Sequence, residues 1–299
     1  MAKTSNAQQR RFLNNADAHQ KEIVSLIRQV ARTRGIDRVW SDWVEICAIA
    51  LARADLAQRD TREQRYLQVI AQYERAELDL LVQAFSHLVM AYEVRVQAAD
   101  FGDVLGSTFM MLDMGNAGAG QFFTPYEVSR LMGNMMMGNG QDLVDKTGAQ
   151  GFVRILEPAC GAGGMLIAAA HAMHDAQLNY QQCMHATAID IDQRCVHMTF
   201  IQLALLHVPA VVIHGNGLTG ECREQWLTPA HILGGWRARL RRREAEEGAR
   251  ALLQAPADMD EIHVDQAKTD SRSAEIDAPL QAIPKAIRQA AAAGQMSLF

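Results

Sequence analysis

No run of about 18 apolar residues interrupts the 299-residue sequence, and no charged-then-apolar leader of the secretory kind opens it, so a soluble, cytoplasmic protein with no membrane contact is expected. The five cysteines (Cys47, Cys160, Cys183, Cys195 and Cys222) form no CxxC pair, and no histidine accompanies them in metal-ligand spacing. They read as reduced thiols, which excludes a disulfide frame and a zinc site, and no metal is expected. The formal net charge of −5 excludes a global electrostatic pull toward nucleic acid, so any such contact has to come from a local basic patch. The seven prolines are nowhere adjacent to one another, and no internal repeat is present. Against these absences stands a hydrophobic fraction of 49%, enough for a substantial core.

The first 115 residues read as an all-helical N-terminal domain. Ile23, Ile27 and Val30 recur at near-helical spacing, as do Leu78, Leu81, Val82, Phe85, Leu88 and Val89. Asp60-Thr61 with Gln64 resembles a capping box and predicts one long helix from there to about Ala98. Trp40 and Trp43, three apart on one helix face, read as core residues in preference to a binding surface. A glycine-rich break, Gly115 to Gly120, follows. Beyond it the period changes: 152–156, 185–189 and 210–213 are short apolar runs separated by helical stretches near 165–176 and 194–206. Strand alternating with helix predicts an α/β, doubly wound sheet. After Asn216 no strand is expected; 226–253 reads as helix within a helical, basic segment, 219–255. Residues 256–294 read as a mostly disordered linker with a short alanine-rich helix, because 256–277 carries seven acidic and two basic residues.

The chemistry concentrates at the ends of the three runs. Glu157-Pro158-Ala159-Cys160-Gly161-Ala162-Gly163-Gly164-Met165-Leu166 is a strand end, a glycine-rich turn and a helix start, a geometry that lets backbone approach a ligand and offers it free N–H groups. By itself this also suits dinucleotide or phosphate sites, or a tight turn with no ligand. Asp190, 27 residues after Gly163, stands where an acid can accept ribose hydroxyls, while Asp192 reads as a helix cap. Asn216 closes the third run, where an amide can meet an adenine edge or simply make a turn.

With the upstream Gly120-Gln121-Phe122-Phe123-Thr124-Pro125-Tyr126-Glu127-Val128, this loop closely resembles the methylation subunits of type I restriction–modification systems and related N6-adenine DNA methyltransferases. The two motifs stand in the family's order, and the resemblance spans the 96 residues Gln121 to Asn216. It implies a Rossmann-like methyltransferase core, 120–218, that binds S-adenosyl-L-methionine. Phe123, Thr124 and Pro125 would fold over the methionine end, and Glu157 would hold the amino end beside Pro158, Ala159, Gly161 and Gly163. Asp190 would take the ribose and Asn216, where the family more often has Asp, the adenine. DNA is the implied partner. Residues 124–127 also read as a helix start, with Thr124 as N-cap and Pro125 as the first helical residue.

The family's Asn/Asp-Pro-Pro-Tyr/Phe motif, which accepts the two amino hydrogens of a flipped adenine and stacks on its ring, is absent. Thr228-Pro229-Ala230-His231 is the nearest segment, 12 residues after Asn216, and reads better as an ordinary helix start with no apolar strand before it. The sheet therefore reads as truncated, with another subunit as a candidate to complete it. Arg237, Arg239, Arg241, Arg242 and Arg243 suit phosphates or, with Glu244, Glu246 and Glu247, a solvated helix of i,i+4 pairs. The last five residues, Gln295-Met296-Ser297-Leu298-Phe299, resemble the bacterial sliding-clamp-binding peptide, with Gln295 setting register and Met296, Leu298 and Phe299 as apolar anchors.

Overall fold

The structure, a computed structural model, describes residues 16–112, 114, 123–137 and 141–254. The glycine break at 115–120, Gln121 and Phe122, the acidic stretch and the Gln295–Phe299 peptide lie outside the described residues.

The N-terminal helices are built as their spacing predicts. Helix α1 (Ala18–Arg34) opens on a capping box in which Asp17 accepts from the Gln20 backbone N–H at 2.8 Å, and it buries Ile23, Ile27 and Val30. Gly35 separates it from α2 (Ile36–Leu51), which buries Trp40 and Trp43 completely, their rings 5.2 Å apart. Both tryptophans are core, and the indole N–H of Trp43 is matched by the Leu81 carbonyl at 3.1 Å.

The long helix expected from Asp60 is two helices, α3 (Arg59–Ile70) and α4 (Arg75–Gln97). Tertiary contacts make the break. The Tyr73 hydroxyl donates to Asp42 at 2.8 Å, and Glu77 accepts from the Glu74 backbone N–H at 2.8 Å while pairing with Arg34 of α1. The Asp60-Thr61 segment caps nothing, because α3 already begins at Arg59. Leu81 and Leu88 are core as expected, whereas Val82 and Val89 are exposed. Helix α5 (Val104–Met111), capped by Asp103 through the Gly106 N–H at 2.8 Å, is buried along nearly its whole length. Helices α6 (Tyr126–Met137) and α7 (Gln141–Gln150) lead to the sheet.

Four strands run in spatial order: β1 (Val153–Glu157), β2 (Met184–Asp190), β3 (Ala210–Asn216) and β4 (Glu221–Leu227). The first three are parallel and carry α8 (Gly164–Asp175), the short α9 (Tyr180–Cys183) and α10 (Gln193–Leu205) between them. β4 corrects two expectations: strands do not stop at Asn216, and Trp226 belongs to a strand. Helix returns only in α11 (Pro229–Leu233) and α12 (Trp236–Gln254). β4 pairs antiparallel with β3 and carries one buried residue, Trp226, so it shows no apolar run to read. Trp226 seats against His197 and Phe200 of α10, with the guanidinium of buried Arg62 over its ring at 4.1 Å; Arg62 also donates to the Gln225 carbonyl at 2.9 Å.

Register fixes the two faces. Ala188, Val212 and Trp226 are paired neighbours and share the face toward α10; His185, one residue out of phase with Met184 and Ala186, faces α11 and α12 through His231 and Trp236. Helices therefore cover both sides of a mixed, four-stranded α/β sheet. No described helix is long and apolar enough to cross a membrane.

Candidate functional site

Glu157, Asp190 and Asn216 end the three parallel strands, so all stand at the carboxyl edge of the sheet, where open α/β sheets bind ligands. The glycine turn between β1 and α8 is pinned from several directions. The Cys160 N–H reaches the Ile189 carbonyl at 2.9 Å, the Gly161 N–H donates to Asp190 Oδ2 at 2.8 Å, and the Thr199 hydroxyl donates to the Gly161 carbonyl at 2.9 Å. Gly161 has φ +54°, and a Cβ there would lie 3.0 Å from the ring of Phe123. The ring thus lies directly against the turn, backed by Phe109 of α5 at 5.2 Å between centroids.

The two carboxylates differ. Asp190 spends both oxygens on backbone, Oδ2 on Gly161 and Oδ1 on the Asp192 N–H at 2.9 Å; burial holds its carboxyl above the usual range against those two bonds. Glu157 is 1% exposed. Its Oε1 accepts from the Ala159 N–H at 3.3 Å, while Oε2 is buried with no hydrogen-bond partner. Burial, partly offset by Ala159 and reinforced by the charge of Asp190, pushes Glu157 up to about 7. A buried, half-satisfied carboxylate is costly unless a donor or cation completes it.

Asn216 serves the β3–β4 turn, its Oδ1 accepting from the Leu218 N–H at 2.9 Å and the Thr219 N–H at 3.3 Å. That turn leans on the glycine loop so closely that a Cβ at Gly217 would lie 2.5 Å from the Pro158 carbonyl oxygen. Phe123, Glu157, Pro158, Gly161, Asp190 and Asn216 are therefore linked by direct contacts or by adjacent turns. Gly163, in the left-handed region at φ +93°, precedes α8, and Ala159, Thr124 and Pro125 are exposed. The helix start at 124–127 is shifted by one: Pro125 offers the first helical carbonyl, to the Ser129 N–H at 3.1 Å, so Pro125 rather than Thr124 holds the capping position. Asp192 caps α10 through the Arg194 N–H, as expected.

Thr228, Pro229 and His231 are elsewhere. Antiparallel β4 carries them to the amino edge, beside the first residue of β3: the Thr228 hydroxyl donates to the Val208 carbonyl at 2.8 Å and accepts from the Ala210 N–H at 2.9 Å. Thr228 and Pro229 start α11, and His231 Nδ1 meets His185 Nε2 at 2.9 Å. Burial pushes these imidazoles down to about 3 for His185 and about 4 for His231, so the pair is neutral. A strand does precede Thr228, contrary to expectation, but it runs the wrong way to bring the segment to the glycine loop. In the arginine run, Arg242 and Arg243 pair with Glu246 and Glu247 four residues on, which favours the i,i+4 helix alternative for these two, while Arg239 packs over Trp236 at 3.7 Å.

Sequence reasoning missed Gln202. Fully buried on α10, it donates to the Ala162 carbonyl at 2.5 Å and to Asp103 at 2.8 Å, and accepts from the Leu105 N–H at 2.8 Å and the Tyr92 hydroxyl. It fastens the glycine turn to α4 and α5; its only signal is one polar residue inside the apolar Phe200-Ile201-Gln202-Leu203. Tyr126 was passed over too: its hydroxyl meets His171 Nδ1 at 2.9 Å and holds the start of α6 against α8. Among the described residues no group of three or more His, Cys, Asp or Glu side chains is set to hold a metal.

Residues 97–230 match the family model for N-6 DNA Methylase, and over this stretch the chain is similar to that family. The match extends beyond the expected 120–218 core at both ends, taking in α5 and β4. No curated protein and no solved structure matches the chain.

Proposed function

We propose that the chain binds S-adenosylmethionine at the carboxyl edge of the sheet and acts in DNA modification as an N6-adenine methyltransferase-family protein, its sheet a truncated, doubly wound version of the methyltransferase fold. The observation that carries the reading is the unpartnered Oε2 of buried Glu157 beside a glycine turn and Asp190. An amino group carrying a positive charge is what that oxygen lacks, so the residues present fit the cofactor's methionine end. Asp190 retains lone pairs for a ribose, the turn offers backbone, and Phe123 covers the turn. Because Asn216 Oδ1 is engaged by its own turn, Asn216 has its amide N–H to give to an adenine edge. When bound, the cofactor supplies an electrophilic methyl group on its sulfonium.

A second reading, a cofactor-binding accessory that transfers no methyl group by itself, is favoured by the position of Thr228 and His231. The adenine amino group is a weak nucleophile that needs acceptors to orient it, and these two side chains are committed to the amino edge. Among the described residues β1 pairs only with β2, which leaves its other edge for a strand of another subunit. The Gln295–Phe299 tail as a sliding-clamp ligand belongs to either reading, and a peptide titration against purified clamp, with Leu298→Ala/Phe299→Ala as control, tests it.

The decisive experiment is a calorimetric titration with S-adenosylmethionine beside a radiolabelled methyl-transfer assay on mixed-sequence DNA. Absence of binding sinks both readings. Binding without transfer selects the accessory, and binding with N6-methyladenine formation selects the enzyme.

A further inference from the structure

We propose that the solvent face of α1 is a docking surface for the phosphate backbone of duplex DNA, with Lys21, Arg28 and Arg32 as the phosphate contacts. These cations line a groove of about 420 Å³ with Ser25 and Gln29 between them. At 3.6 residues per turn, positions 21, 28 and 32 fall within about 40° of one another around the helix and span roughly 16 Å along it, enough for two or three successive phosphates of one strand. The opposite face, with Ile23, Ile27 and Val30, is core, so the stripe is held by packing and not by its own charges.

The charges of the stripe are not taken up by ion pairs among the described residues. Elsewhere on the N-terminal helices, Arg34, Arg38, Arg62, Arg65 and Arg95 each pair with a carboxylate. Lys21, Arg28 and Arg32 are exposed, and among the described residues none has an ion-pair partner. In a chain of net charge −5, three cations in line without acids are the local basic patch that a polyanion requires. The helix dipole explains a basic residue in the last turn, which accounts for Arg32 but not for Lys21 in the first. The groove is also tied to the candidate site. Arg28 donates to the carbonyl of Met111, the last residue of α5, at 3.2 Å, and Phe109 of the same helix backs the Phe123 ring against Gly161. One short helix thus supports both the stripe and the glycine turn.

The choice of DNA as the polyanion rests on the reading above. The test is fluorescence anisotropy with the full chain and labelled duplexes of about 20 base pairs in two unrelated sequences, over a salt series beginning near 50 mM. Lys21→Ala/Arg32→Ala is the first variant, since neither side chain makes a described contact, and Arg28→Ala is added second. Each lost contact should lower the slope of log affinity against log salt by about 0.9, and the triple variant should bind both sequences at least about tenfold more weakly at low salt. Unchanged affinity and slope in both variants, or no duplex binding by the unaltered chain at low salt, overturns the proposal. A parallel cofactor titration separates the two readings. Loss of duplex binding in a chain that takes up no S-adenosylmethionine leaves the stripe standing and removes the cofactor, whereas normal uptake with stripe-independent duplex binding does the reverse.

Discussion

The two edges of the sheet carry the same local device, a strand leading through a polar turn into a helix, and they finish it differently. At the amino edge β4 runs into Thr228-Pro229, and the Thr228 hydroxyl both donates to Val208 and accepts from Ala210, while His185 and His231 satisfy one another in neutral form. That turn is closed on itself. At the carboxyl edge β1 runs into Pro158 to Gly163, and there a carboxylate oxygen of Glu157 is buried without a partner. A strand–turn–helix becomes a candidate site when its polar atoms are left over, because a buried unpaired acceptor costs stability that a ligand can return.

The sharpest way to break this contrast is Gly161→Val. It forces a β-branched side chain to φ +54° and sets its Cβ 3.0 Å from Phe123. Backbone strain of about 1–3 kcal/mol with displacement of the ring should lower the melting temperature and remove detectable S-adenosylmethionine heat. Asp190→Ala deletes the acceptor of the Gly161 and Asp192 N–H groups and should weaken cofactor binding by about 1–3 kcal/mol in the same titration.

Glu157 gives a pH signature. Its carboxyl, raised to about 7 in the folded chain, is protonated where the unfolded chain's is already ionised, so its contribution to stability is largest below pH 4.5 and is lost as pH rises through 7. Glu157→Gln should therefore stabilise the cofactor-free chain by about 1–3 kcal/mol at pH 8 in denaturant melts. Cofactor affinity should rise about tenfold between pH 5.5 and 7.5 in the unaltered chain and stay flat in Glu157→Gln.

The amino edge responds in the opposite sense. His185 and His231 are depressed in the folded chain, so their contribution is present above pH 6.5 and is lost as pH falls toward 4 and 3. Thermal melts should lose about 1–2 kcal/mol between pH 7.5 and 5, less in a His185→Gln/His231→Gln variant, with cofactor affinity untouched. Smallest of all, Thr228→Ala should cost about 1 kcal/mol of stability through the lost cap and leave cofactor affinity unchanged. A fall in cofactor affinity with Thr228→Ala would erase the distinction between the edges.

The sequence by itself determined the local events: the helical period of α1, the two core tryptophans, three parallel strands to within a few residues, and the glycine turn with Asp190 at the end of the second strand. Each of these is written in a period or in a residue whose backbone or capping chemistry acts over a few positions. Tertiary structure decided the rest. The break at Tyr73–Glu74 depends on Asp42 and Arg34 from other helices. β4 exists because Trp226 finds His197, Phe200 and Arg62, partners 26 to 164 residues away, and no alternating pattern announces it. Gln202 reads as an anomaly in an apolar helix until Ala162, Asp103, Leu105 and Tyr92 converge on it. The direction of β4, which separates Thr228 and His231 from the glycine turn, is likewise invisible in composition. A strand reads alike whichever way it runs, and only its partner in the sheet fixes the edge at which it ends.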